Sequence, residues 1–361
     1  MPLHHDVVKI SYRSNSTDTP HRHRENTLNT LPQRQVTIAS IAAYPRSACI
    51  SRGYSARYKS PLRYPGGKSS LSKFVQSIFV ANDIVGGVYA EPYAGGASVA
   101  LSLLFGNYVQ KIFINDVDPA VHAFWRSAVS QPDELCRLIR DTRPSVKEWN
   151  RQRAIYLTGK RASALELGFA AFFLNRTNRS GIIGSAGIIG GQNQNGPWKM
   201  DARYNRSELS ARIERIASLK NRIKVTGIDA ALFLTNIAKK LPPESLLYLD
   251  PPYYVKGERR LYANYYGPND HTDIAAAVGR LRCHWLVSYD QAPAIRQLYR
   301  RFHSLSYSLR YSASATSLGK EVMFFSDRLV VPTDHRPAGA VSRLPSATRQ
   351  KRSSAGIAVA G

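Results

Sequence analysis

VYAEPYAGGASVALSLLF, residues 88–105, opens with a short β-branched and aromatic run, turns on two adjacent glycines and continues with apolar residues at helical spacing. KIFIND (111–116) repeats the strand signal and PAVHAFWRSAV (119–129) the helix, so the stretch reads as a βαβ unit. RIKVTGID (222–229), SLLYLDPPYY (245–254) and HWLVSYD (284–290) read as further buried strands, with helix-like ALFLTNIAKKL (231–241) and DIAAAVGRL (273–281) between them. This alternation predicts an α/β fold built on a doubly wound sheet, with ligands at the carboxyl ends of its strands. Residues 58–118 and 222–331 form the sheet domain in this reading, and the mainly helical stretch 119–221 is an inserted lobe. Residues 1–57 and 332–361 lack periodicity, are rich in Ser, Arg and Pro, and read as disordered basic ends. Asp6, Asp18 and Glu25 argue against an organelle transit peptide at the start.

The charge balance narrows the partners. Fifty Lys and Arg against 25 Asp and Glu give a net charge of +25, the electrostatic footprint of a protein that meets a polyanion, with nucleic acid the leading candidate. Twenty tyrosines add faces on which unpaired bases can stack. Cys49, Cys136 and Cys283 are widely spaced with no C-x-x-C, which speaks against a disulfide framework or zinc ribbon and for a reducing, cytoplasmic setting. The best apolar run, LGFAAFFL (167–174), is far short of a membrane span, so no membrane is expected. No metal is expected either, because neither His271 nor His284 has metal-ligand spacing; His271 reads as a structural or helix-start residue.

Three segments carry chemistry. RYPGGKSSL (63–71) looks like the end of a phosphate loop, but Leu62 stands where the first glycine is required, so Lys68 serves another anion. Glu91 ends the first strand, Gly95 and Gly96 let backbone approach a ligand at a helix start, and Asp116 follows about 20 residues later, where a carboxylate can accept from ribose hydroxyls. Together they suggest an adenosine-containing cofactor; the alternative is glycines for tight packing and an acidic helix cap at Asp116 or Asp118. LYLDPPYY stops a buried strand at Asp250 and turns through Pro251 and Pro252 into Tyr253. The acceptors of Asp250 and the Pro251 carbonyl suit a planar amine such as adenine N6, and the Tyr253 ring can stack on the base, a role that needs the ring more than the hydroxyl. SLGKEVMFF (317–325) reads as a strand preceded by a charged turn at Lys320 and Glu321, to which no role is assigned.

YPGGK, EPYAGGAS, IND, LNR, DPPYY and VSYD occur in the order found in the Dam-type (D12 class) DNA adenine N6-methyltransferases, and the chain resembles that family over residues 59–330. The resemblance implies a Rossmann-like S-adenosylmethionine-dependent methyltransferase sheet, its inserted lobe recognising double-stranded DNA, and methyl transfer to N6 of a flipped-out adenine. It implies Tyr64, Gly67, Lys68, Glu91, Tyr93, Gly95, Gly96 and Asp116 around S-adenosylmethionine, with Lys68 pairing the cofactor's carboxylate and Asp229 near its adenine. Asp250, Pro251, Pro252 and Tyr253 would surround the target base, and Asn175, Arg176 and Arg179 are candidate DNA contacts. The stretch from Asn175 to Asn205, rich in Gly, Asn, Gln and Arg, adds Lys199 and Arg203 as groups that can meet phosphate or guanine. SAGIIGGQNQNGPWKMDARYN (185–205) departs from the best-known Dam hairpin, so the target sequence stays open. Methylation of adenine in RNA by the same pocket, or a silent DNA-binding protein, are the rival readings; Asp rather than Asn at 250 favours DNA, the intact DPPYY favours catalysis, and a monomer is expected.

Overall fold

The structure is a computed structural model that describes residues 60–63, 68–254, 266–311 and 317–344. The basic start expected at 1–57 and the end of the expected tail lie outside the described residues.

Eight strands form one sheet: β1 (Gly87–Glu91), β2 (Val109–Asn115), β3 (Ile223–Thr226), β4 (Leu246–Leu249), β5 (His284–Asp290), β6 (His303–Tyr311), β7 (Ser317–Phe325) and β8 (Val341–Arg343), in the spatial order β3-β2-β1-β4-β5-β7-β6-β8. Strands β1 to β5 pair in parallel, whereas β7 is antiparallel to both β5 and β6, and β8 is antiparallel to β6. The strand order reverses between β1 and β4, which opens the crevice where doubly wound sheets take ligands.

Neighbouring side chains along the strands point to opposite faces, and both faces are covered. Tyr89, Ile112 and Tyr248 enter a core with helices α1 (Ser72–Ala81), α2 (Ser98–Phe105), α3 (Pro119–Ser130), α4 (Pro132–Asp141), α5 (Val146–Thr158), α6 (Ala164–Thr177) and α7 (Arg206–Ala217). Val88, Phe113 and Leu249 enter the other core, with α8 (Ala230–Asn236), α9 (Pro268–Val278) and α10 (Pro293–Leu298). Helix starts follow local chemistry. Asp118 accepts from the Ala120 and Val121 amides ahead of α3, with Pro119 in its first turn, and Ser163 and Glu166 form a capping box on α6. Residues 167–177 of α6 are buried, and Phe172 stacks on Phe124 with ring centroids 5.7 Å apart, so LGFAAFFL is core.

Three features depart from the sequence reading. The insert is helical as expected, but Phe124, Phe172 and Ile213 share one core with Tyr89 and Ile112, and the insert keeps only a small cluster of its own around Ala120, Ala123, Leu167 and Ala171. Lys320 and Glu321 lie within β7 and not in a turn, because buried partners described below accommodate the carboxylate in a strand. Residues 332–344 belong to the fold: β8 pairs Ser304 to Arg343 and supplies hydrogen-bond partners to an edge that β6 would otherwise expose.

Candidate active site

The loop between β1 and α2 is fixed by its own backbone angles and by hydrogen bonds with the end of β2 and with α3. Gly95 takes φ +45° and Ala97 φ +46°, so the chain turns sharply into α2. The Gly95 amide donates to Asp116 Oδ2 at 2.8 Å, and the Trp125 indole donates to the Gly95 carbonyl at 2.8 Å. Asp116 also accepts from the Asp118 amide at 3.0 Å, while Asp118 itself caps α3; the two acids expected as alternatives therefore divide the work. Burial pushes the Asp116 carboxyl up to about 7 against these two backbone donors. Beside it, Asn115 donates to the Pro92 and Ile228 carbonyls at 2.9 and 2.8 Å and accepts from the Ile228 amide at 3.0 Å, tying the ends of β1, β2 and β3 together.

Glu91 ends β1 and is 6% exposed. Its Oε1 accepts from the Tyr89 hydroxyl at 2.9 Å and the Ala100 amide at 3.1 Å, leaving Oε2 without a hydrogen bond among the described residues. Burial is the main cause that raises this carboxyl to about 8, and the nearby Asp250 charge adds to it.

Asp250, Pro251, Pro252 and Tyr253 follow β4, the strand beside β1. Asp250 Oδ2 lies 2.8 Å from Lys68 Nζ, and Oδ1 accepts from the Ser288 hydroxyl at 2.7 Å. Burial raises the Asp250 carboxyl from its ordinary range, with Lys68 opposing and Glu321 reinforcing the shift. Lys68 Nζ also donates to the Tyr253 hydroxyl at 2.8 Å and stands 3.7 Å from Glu321 Oε1. The Tyr253 hydroxyl donates to Glu321 Oε1, and the Tyr307 hydroxyl donates to Glu321 Oε2 at 2.5 Å. Lys68, in the turn ahead of α1, therefore joins the start of that helix to the Asp-Pro-Pro-Tyr loop, with Asp250 among its partners. The Tyr253 hydroxyl has a function that the stacking reading did not anticipate.

The remaining expected residues divide. Tyr64 and Gly67 lie outside the described residues. Tyr93 is partly buried, its hydroxyl 2.9 Å from that of Tyr266. Gly96 is buried in the same turn, whereas Asp229 is exposed and caps α8 through the Ala231 and Leu232 amides.

Asn175 and Arg176 are corrected. Asn175 is fully buried at the end of α6, donating to the Arg63 and Gly181 carbonyls at 2.8 and 2.7 Å and accepting from the Arg63 amide at 2.7 Å. Arg176, 6% exposed, donates to the Pro61 and Ser60 carbonyls, and burial lowers its guanidinium to about 9. Both hold residues 60–63 against the insert and are not available to DNA. Arg179, Lys199 and Arg203 are exposed, and Trp198 between them is 69% exposed. Burial, with the nearby Arg203 charge as the smaller cause, lowers the half-buried Arg63 guanidinium, an arginine that sequence reasoning passed over.

A parallel sheet that reverses its order between β1 and β4, with acids ending β1 and β2 and Asp-Pro-Pro-Tyr ending β4, has the architecture of a Rossmann-like methyltransferase. The chain belongs to the D12 class N6 adenine-specific DNA methyltransferase family, whose family model matches residues 64–313. Among curated proteins, no sequence matches. Solved structures resembling it include a Pyrococcus horikoshii protein provisionally named an RNA methyltransferase, at 10% identity and TM-score 0.35, covering 76% of this chain and 90% of that one. A Streptomyces viridochromogenes rRNA methyltransferase is 15% identical with TM-score 0.29, covering 77% and 95%. A Legionella pneumophila protein is 12% identical with TM-score 0.26, covering 75% and 86%. Among the described residues no cluster of His, Cys, Asp or Glu is arranged to hold a metal, and no helix is long and apolar enough to cross a membrane.

Proposed function

We propose that this protein is a site-specific DNA methyltransferase that moves the methyl group of S-adenosylmethionine to N6 of a flipped adenine in double-stranded DNA. The observation that carries the reading is the Asp250 carboxylate, held between Lys68 and Ser288 at the mouth of the crevice between β1 and β4.

The residues at the strand ends fit the cofactor. Both hydrogen bonds to Glu91 among the described residues go to Oε1, and each Asp116 oxygen accepts one backbone N–H among them, which leaves acceptor capacity for the cofactor's amine and ribose hydroxyls. Lys68, Glu91, Tyr93, Gly95, Gly96 and Asp116 would hold it, with Tyr64, Gly67 and Asp229 as further contacts implied by the family. Bound there, the cofactor supplies an electrophilic methyl group on a sulfonium.

The chain's own part is positioning and charge placement. Asp250 accepts one N6 hydrogen and the Pro251 carbonyl the other, which turns the amine lone pair away from the ring and toward the methyl donor. The Tyr253 ring covers the base, and Pro252 fixes the turn that aims it. Arg179, Lys199 and Arg203 meet the duplex, in keeping with the net charge of +25.

Purified protein, methyl-labelled S-adenosylmethionine and duplex DNA test this directly. The expected product is N6-methyladenine in the digested DNA, and modification-sensitive sequencing of DNA from an expressing host gives the target. Label that enters only RNA, or only cytosine, refutes the assignment.

A further inference from the structure

We infer that Glu321 is a positioning residue for the base pocket, holding the Tyr253 phenol and the Lys68 side chain in the attitude that presents Asp250. This rests on the adenine methyltransferase reading. Glu321 is 0% exposed in the middle of β7, with Asp290 of β5 and Tyr307 of β6 opposite it. It lies beyond the family match, which ends at residue 313.

A carboxylate at that position makes little sense as packing, since an apolar side chain of similar volume in a buried site is often neutral or stabilising. Its bonds are directed instead. Both oxygens accept phenolic hydrogens, Tyr307 from the neighbouring strand and Tyr253 from the loop after β4. The Tyr253 hydroxyl in turn accepts from Lys68 at 2.8 Å, and Lys68 holds Asp250 at 2.8 Å. A chain of contacts thus runs from β7, a strand paired on both sides, to the group that receives the amine. Gln291 fixes the same point of β7 by donating to the Glu321 backbone carbonyl at 3.0 Å. Rigid elements place catalytic groups better than loops do, and a loop that begins with two prolines still has its tyrosine ring to aim.

Two substitutions separate aiming from core stability. Glu321→Gln keeps the volume but replaces one acceptor with a donor, so it cannot receive both phenols and also face Lys68. Tyr307→Phe removes one bond from the same carboxylate and leaves Tyr253 and Lys68 in place. For Glu321→Gln, kcat should fall about 10²-fold, the loss expected of a displacement near 1 Å, while the KM for S-adenosylmethionine moves by about threefold at most. Exchange of the Tyr253 and Tyr254 amides, the first after the two prolines, should speed up in this variant only. Tyr307→Phe should lose about tenfold or less in kcat, at a comparable loss of stability to denaturant. If the two variants lose activity and exchange protection in parallel, Glu321 is ordinary core and the proposal fails. If the wild-type enzyme methylates no adenine, the functional reading fails separately; the exchange comparison then decides, with faster exchange confined to Glu321→Gln upholding the role and equal exchange overturning it.

Discussion

Glu91→Gln probes the carboxyl that ends β1. Both of its donors, the Tyr89 hydroxyl and the Ala100 amide, bind Oε1, so a carboxamide oriented the same way keeps both bonds and resembles the protonated acid. The wild-type carboxyl rises from 4.5 to about 8 on folding, chiefly because burial penalises its charge. A group raised in this way binds its proton more tightly in the folded state. Its contribution is fully present below pH 4.5 and is lost as pH rises through about 8. At ~1.4 kcal/mol per pH unit, the interval corresponds to ~5 kcal/mol, an upper figure because local relaxation and water entry reduce it. Glutamine never ionises and escapes that loss. Urea denaturation at pH 5 and pH 9 should therefore give near-equal stabilities at the lower pH and an advantage of about 3 to 5 kcal/mol for the variant at the higher. Asp116, raised to about 7, titrates in both proteins and cancels from the difference. Stability profiles that run parallel from pH 5 to 9 would refute the argument, because Glu91 would then be ionised in the fold at no cost. The cofactor side follows: if Glu91 receives a cationic group, affinity should tighten with pH in the wild type and be flatter in the variant.

Other expectations are more direct. Asp250→Ala should lower methyl transfer by at least about 10²-fold while calorimetric affinity for S-adenosylmethionine changes little; near-wild-type turnover would remove Asp250 from the chemistry. Tyr253→Phe should lose about 1–3 kcal/mol of stability in urea, since Glu321 and Lys68 each lose a buried partner, and Tyr253→Ala should lose far more kcat than Tyr253→Phe; equal kcat losses would deny the ring its stacking role. Asn175→Ala should cost about 3 kcal/mol or more by stranding the Arg63 and Gly181 backbone groups, with the methylated sequence unchanged; a shift of target without loss of stability would return the residue to the DNA surface. Arg179→Ala should cost ~1–3 kcal/mol in discrimination between target and mismatched sites if it reads a base edge, whereas a uniform loss on every duplex would make it a phosphate contact.

The parallel half of the sheet was legible because its strands are buried on both faces and its helices alternate with them, so VYAEPY and KIFIND announce themselves. The antiparallel half was harder. Glu321 reaches the pocket only because β7 inserts between β5 and β6, and no local spacing encodes that order. Ser288 was visible as part of VSYD, but its bond to Asp250 crosses from β5 to the end of β4. Asn175 and Arg176 misled because polar residues in a short motif look like ligand contacts. The available signal was the unbroken burial pattern before them: eight apolar or small residues running into a helix end leave polar atoms there with only backbone to satisfy them. Asn115 was read only as part of IND, yet its amide ties together carbonyls contributed by loops more than 100 residues apart in sequence.

The place of β7 also bears on how the protein is made. Strands β6 and β7 follow one another in the chain and pair along their full length, so they can form as an antiparallel pair whose β7 edge then adds to β5. Until β7 takes its place beside β5, a chain that already holds the turn after β1 and Asp-Pro-Pro-Tyr lacks the carboxylate to which Tyr253 donates, so the pocket is completed by the last pairing step of the sheet's antiparallel half and not by the parallel half alone.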